Sequence, residues 1–166
     1  MTPEAVVKAV YETIEPLRLC FLITNNEVGH VSSRLMQCFK PEPDFTIWFG
    51  TRDITRKVSE IRADARASVS FHNSEENAYV TFTGSAEIVD DLALRQQYWR
   101  PDWKQFFLQG PEEGYLLIKF TPVEIEVLNF ARDITPHPYG IQPCYLFRVG
   151  DEWSFNESTF RGQSQG

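Results

Sequence analysis

Cysteine is scarce and poorly placed: Cys20, Cys38 and Cys144 are odd in number and none belongs to a CxxC pair. That excludes a disulfide framework and a cysteine-based zinc site, and the three thiols read as buried, reduced side chains of a cytoplasmic protein. No apolar run approaches the ~20 residues that a membrane span needs. The first apolar segment is interrupted by Glu4, Glu12 and Glu15, so it does not read as a leader. Positive charge is also in short supply, with Lys and Arg numbering 16 against 23 Asp and Glu, for a net charge of −7. A general nucleic-acid binder, which needs a basic face to displace counterions, is therefore not expected. The histidines His30, His72 and His137 are scattered, and none stands near Cys or Asp at a spacing that suggests a nucleophile and base or a metal site. Glycine-rich nucleotide loops, internal repeats and low-complexity blocks are absent.

What is present is concentrated in one stretch, Phe45–Lys57 (FTIWFGTRDITRK). It opens as a strand, in which Phe45, Ile47 and Phe49 alternate with Thr46, Trp48 and Gly50. After Gly50, Thr51 and Asp53 are candidate helix N-caps. From Thr55 onward, Val58 and Ile61 among Arg56, Lys57, Glu60 and Arg62 predict a short amphipathic helix. Two adjacent cations, Arg56 and Lys57, then occupy a first turn where the helix dipole favours acids. A phosphate resolves that conflict by taking free N–H groups and the hydroxyls of Thr51 and Thr55 along with the two charges. The alternative is a surface helix whose basic residues are solvated.

The remaining chain, 166 residues with 42% hydrophobic content, suits one domain with a sizeable core, or one domain with an appendage. Thr2 and Pro3 start a helix carrying Val6, Val7, Val10 and Ile14. Leu17–Thr24 and His30–Cys38 predict a hairpin about Asn25–Gly29. In its second arm Val31, Ser33 and Leu35 face one way and Ser32, Arg34 and Met36 the other. Further strands are expected at Arg66–Phe71, Ala78–Val89, Tyr115–Phe120 and Val123–Phe130, with Gly84 marking a bulge or close approach and Thr121-Pro122 a bend. Short helices are expected over Asp90–Trp99 and Pro101–Leu108. This reads as a mainly β barrel or sandwich with flanking helices over residues 1–130, followed by an extension, 131–166, with a proline-rich connector and a hairpin at Tyr145–Val149 and Glu152–Phe155. The end, from Phe160, is expected to be frayed.

The order of SSRLM, WFGTRDITRK, YVTFTG, the two aromatic helices and a closing IEV strand resembles the FMN-binding split-barrel superfamily. More narrowly it is similar to the pyridoxamine 5′-phosphate oxidase-like proteins of the general stress protein 26 group. The most specific part is Thr51–Lys57, where a hydroxyl residue follows four places after Thr51 and precedes Arg-Lys. The resemblance implies a six-stranded split β-barrel, a homodimer, and FMN in a groove between the subunits. It further implies that Ser33 and Arg34 lie at the flavin or its phosphate, that Leu35 and Met36 line the ring, and that Phe49, Gly50 and Thr51 run along ring and ribityl chain. Thr55, Arg56 and Lys57 then hold the phosphate, and Tyr79 reaches the flavin from the second subunit. The late Trp and Arg-x-His element of true pyridoxamine 5′-phosphate oxidases has no counterpart in the tail, so vitamin B6 oxidation is not implied.

No pair of residues singles itself out as catalytic, because Asp90-Asp91 and Glu112-Glu113 are explained as caps and turns. Trp99, Trp103, Phe106 and Phe107 form either a wall over a planar ring or ordinary packing. A flavin supplies the redox chemistry itself, so an FMN-dependent oxidoreductase or flavin reductase-like stress protein needs few reactive side chains. A flavin-storing protein without turnover, or a split barrel using a deazaflavin, fits the same residues. A haem does not, for want of an axial histidine.

Overall fold

The computed structural model describes residues 1–134 and 142–157. The chain opens with α1, Pro3–Ile14, capped by the Thr2 hydroxyl, which accepts the Ala5 N–H at 3.2 Å. Pro3 sits where a missing N–H costs no helical bond. Its apolar stripe, Val6, Val10 and Ile14, is wholly buried against the sheet. Strands β1 (Leu19–Asn25) and β2 (Val31–Gln37) form the expected hairpin. The turn is built by the Asn26 side-chain oxygen, which accepts the N–H groups of Val28 and His30, and by Gly29 at φ +81°.

Strand β3 (Ile47–Arg52) leads to α2 (Arg56–Ala63), and β4 (Arg66–Asn73) and β5 (Ala78–Val89) follow. Next come α3 (Leu92–Gln97), a 3-10 turn over Pro101–Gln105, and β6 (Tyr115–Leu128), then β7 (Cys144–Val149) and β8 (Glu152–Ser154). All strands are antiparallel in one sheet ordered β2-β1-β4-β5-β6-β7-β8, with β3 also on β6. The terminal hairpin extends this sheet, since β7 pairs with β6 from Val127↔Cys144 to Glu124↔Phe147. The connector prolines Pro136 and Pro138, His137, and the end from Phe160 lie outside the described residues.

The bend expected at Thr121-Pro122 does not divide the segment into two strands. β6 runs through it as one long strand that carries a bulge: Thr83 pairs with Glu124 and Gly84 with Pro122, so Val123 has no partner on β5. Pro122 lacks an N–H to give the ladder, and Gly84, facing it, lets the two backbones approach. A Cβ on Gly84 would run into the Thr121 carbonyl oxygen and come within 2.8 Å of the Pro122 Cα. One edge of β6 pairs with β5 from Leu117 to Leu128, apart from Val123. The other is divided between β3, opposite residues 115–120, and β7, opposite 124–127.

The inward side chains form one core of Leu22, Phe49, Val69, Phe82, Phe120 and Ile125, among others, closed by α1. A second cluster, Trp48, Trp103, Tyr115 and Leu117, lies on the other face of β3 and β6 under residues 92–108. Both faces of β3 are therefore buried over Ile47–Phe49, which is why that run is apolar on both sides.

Gly84→Ala is expected to destabilise the fold by about 1–3 kcal/mol, the usual cost of forcing atoms into a packed site. Urea unfolding of the variant beside wild type measures it.

Candidate functional site

Gly50 is where β3 meets the second cluster. A side chain there would strike the Tyr115 hydroxyl and come within 2.6 Å of the Trp103 ring, so its absence lets both aromatics close over the strand. Phe49 points the other way, fully buried in the main core, and only its backbone is near the Gly50 surface. Thr51 is still in the strand, paired with Leu116, and is itself buried.

The helix cap is Thr55, not Thr51 or Asp53, because the strand and its turn use up residues 51–54. Thr55 makes no side-chain cap: its hydroxyl donates to the Arg52 carbonyl at 3.0 Å and lies 3.0 Å from the Thr51 Oγ1. The Val58 N–H turns to the Thr55 carbonyl at 3.1 Å, and among the described residues no side chain caps the first turn of α2. Lys57 Nζ donates to Thr51 Oγ1 at 3.3 Å. Burial, reinforced by the charge of Arg34, holds the Lys57 ammonium below the usual lysine range, with Glu60 offsetting part of the shift. A cation held down in this way gains from a nearby anion.

The other two cations are committed elsewhere. Glu60, only 4% exposed, receives Arg34 Nη2 at 3.1 Å on one oxygen and Arg56 Nε at 2.9 Å on the other. The Thr24 hydroxyl donates to the same carboxylate while accepting from Arg34 Nη1 at 2.7 Å. Burial alone pushes the Glu60 carboxyl up, but Thr24, Arg34 and Arg56 outweigh it and hold the group below the usual glutamate range. Arg34 does share a face with Met36, as the strand alternation requires, and that face turns toward α2.

Beside this network lies an open groove of about 400 Å³. At one end stand Thr51, Thr55 and Lys57; at the other, Leu35, Met36 and Gln37 of β2 with Gly50. Trp103, Phe106 and Phe107 form the facing wall. A second hollow of about 400 Å³, toward Gln105, Gln109 and Gly114, shares Arg52, Phe106 and Phe107 with the first.

The aromatic wall is anchored by specific bonds. Trp103 Nε1 donates to Gln37 Oε1 at 2.9 Å, and Arg100 donates to the Cys38 carbonyl at 2.9 Å while its guanidinium lies over Phe39 and Trp103. Tyr98, stacked on Trp48, shares the Glu42 carboxylate with the Trp48 indole N–H at 3.0 Å each. Burial followed by Glu42 pushes the Tyr98 phenol up to about 12.

Ser33 and Tyr79 lie away from the groove of this chain. Ser33 is exposed on the outer face of β2, and Tyr79 on the outer face of β5 donates to Glu126 Oε1 at 2.6 Å. Burial and that carboxylate raise its phenol well above the ordinary tyrosine value. The fold therefore gathers Leu35, Met36, Gly50, Thr51, Thr55 and Lys57, sets Arg34 and Arg56 behind them on Glu60, and leaves Ser33 and Tyr79 on the outer sheet. Reading the sequence missed Gln37 and Arg52, which flank motif residues, and Glu60. The signal for Glu60 was its position four residues after Arg56, where a helix brings opposite charges together.

Glu60→Gln keeps one acceptor but removes the charge. The expected loss at neutral pH is about 1.5–3 kcal/mol, the range for hydrogen bonds to charged groups. Because the folded-state value of Glu60 is depressed, its contribution is present above the unfolded glutamate value and is lost as pH falls through the folded one. The stability gap between wild type and variant should therefore close on acidification, as denaturant unfolding across a pH series will show.

A comparison with curated proteins finds no match. Solved structures do resemble this chain. A Clostridium acetobutylicum protein related to general stress protein 26 superposes with a TM-score of 0.69 at 20% identity, over 76% of this chain and 90% of its own. General stress protein 26 of Bacillus anthracis gives 0.64 at 24% identity, over 74% and 93%. A pyridoxamine 5′-phosphate oxidase-related, FMN-binding protein of Nostoc punctiforme gives 0.59 at 16% identity, over 91% and 92%. At such identities the likeness speaks for the fold, a split barrel of antiparallel strands with few helices. Residues 5–132, with the hairpin, the β3–α2 turn and the aromatic wall, match the family model described as pyridoxamine 5′-phosphate oxidase like, and the chain belongs to that family.

Proposed function

We propose that this protein binds FMN in the groove between β2, β3 and the aromatic wall, and that it works as an FMN-dependent oxidoreductase or flavin reductase-like protein. The observation that carries this reading is the cluster of Lys57, Thr51 and Thr55 at one end of the groove: a half-buried cation, held below its ordinary range, beside two hydroxyls and an uncapped helix start. Such a cluster suits a phosphate monoester. Arg34 and Arg56 stand behind it, and with Lys57 they set three positive charges against the single Glu60 carboxylate. The other end offers apolar and aromatic walls of a kind that suits a planar ring.

Bound FMN would supply hydride or electron transfer. The chain's own residues would hold the phosphate at Thr51, Thr55 and Lys57, and orient the ring between the backbone of Met36 and Gly50 and the Trp103 wall. The described groove lining carries no carboxylate or imidazole, which suits a site where the cofactor does the chemistry.

The functional unit in this reading is a homodimer. The outer face of β1 and β2 exposes Leu19, Phe21, Val31 and Leu35, at 51, 45, 70 and 57%. The register sets Phe21 against Leu35, so the patch is contiguous, and it borders the groove at Leu35. A contiguous apolar sheet face next to a binding groove supports association through that face. The same face carries Ser33 and Tyr79, so a second copy could bring them toward its partner's groove.

Titration of the full chain tests the cofactor. Lys57→Ala is expected to weaken FMN by about 1.5–3 kcal/mol, the worth of charge-assisted hydrogen bonds, and to leave riboflavin affinity unchanged. A wild-type chain that takes up no FMN overturns the reading. Dilution tests the assembly: sedimentation should show a dimer, and flavin should leave as the monomer forms. A monomer that keeps full affinity rules the shared site out.

A further inference from the structure

Gln37 lines the groove, and a buried partner settles the orientation of its side-chain amide. An indole N–H can only donate, so the Gln37 atom that meets Trp103 Nε1 at 2.9 Å is the amide oxygen. Trp103 is itself buried among Tyr115, Phe107 and Phe39, so this donor stays in place. Gln37 is exposed and lines the groove, and its Nε2 group, with two protons, donates to no acceptor among the described residues. Thr51 and Thr55 carry the side-chain oxygens of the remaining groove lining, and both are bonded within their own cluster rather than to Gln37.

Resting on the flavin reading, we propose that Gln37 is a specificity-determining residue that reads the edge of the bound ring, donating through Nε2 to a carbonyl oxygen or unprotonated ring nitrogen. Trp103 acts as a positioning residue that fixes which way the amide faces. The ligand class this selects is a planar heteroaromatic with an acceptor edge. A flat hydrocarbon ring, which cannot accept, leaves the two amide protons with water or with nothing. The division of labour is then spatial: Lys57, Thr51 and Thr55 recognise the phosphate, and Gln37 recognises the ring.

Fluorescence titration of the full-length wild type with FMN and with riboflavin, repeated for three variants, tests this. Gln37→Leu removes the donors and should weaken both ligands alike by about five- to tenfold, the equivalent of one hydrogen bond. Gln37→Glu keeps an acceptor for Trp103 but has no donor, and should weaken both at least as much. Trp103→Phe frees the amide to turn, and should weaken both by a smaller factor, with the thermal transition checking that the wall still folds. Gln37→Leu binding both ligands within about twofold of wild type would overturn the assignment, as would a loss confined to FMN, which would mean that Gln37 acts through the phosphate. Trp103→Phe at wild-type affinity overturns the positioning role. A wild-type chain that binds neither ligand overturns the flavin reading itself, and this assignment with it.

Discussion

A carboxylate taken out of water has to be compensated, and Glu60 is such a carboxylate. Its desolvation would cost several kcal/mol if left alone. The fold answers with Arg34 from β2, Thr24 from β1 and Arg56 from its own helix. These bonds fasten α2 to the first hairpin and fix the angle at which the helix leaves β3. They also decide the electrostatics of the groove. With both arginines held on Glu60, Lys57 is the cation left facing Thr51 and Thr55.

A second constraint comes from the two cores that share β3 and β6. Phe49 faces one and Trp48 the other, so the strand is covered on both sides until Gly50 breaks the row of side chains. Trp103 and Tyr115 close on that gap, and the groove opens beside it. The aromatic segment is thus packing, as Trp103 shows, and Trp103, Phe106 and Phe107 also line the groove.

Much of this was legible in the residues. The Thr2 cap, the Asn26–Gly29 turn, the alternation of β2 and the close approach at Gly84 each follow from local chemistry that tertiary context did not override. The cluster of Thr51, Thr55 and Lys57 was legible because spacing within a strand-turn-helix fixes it. What was hidden depends on partners far away in sequence. Thr55 became the cap because β3 stays paired with β6 through Arg52, and no local pattern reports that pairing. Pro122 read as a bend between two strands because the residue that lets β6 continue past it, Gly84, lies on another strand. Glu60 looked like a solvated helix residue because Thr24 and Arg34 come from the first hairpin. Gln37 carried no motif of its own, and only the arrival of Trp103 gives its amide a direction.

The divided edge of β6 has a kinetic consequence. β3 must wait for β6, which the ribosome delivers after β4, β5 and the aromatic segment, and Ile47 finds Phe120 only across that whole interval. Pairings this distant close slowly, because loop entropy is lost before contacts offset it. The two sides of the groove, β2 from an early local hairpin and β3 from a late long-range pairing, therefore come together near the end of folding. A ligand seated between them can hold the finished barrel closed, but it has nothing to grip while the chain is still searching.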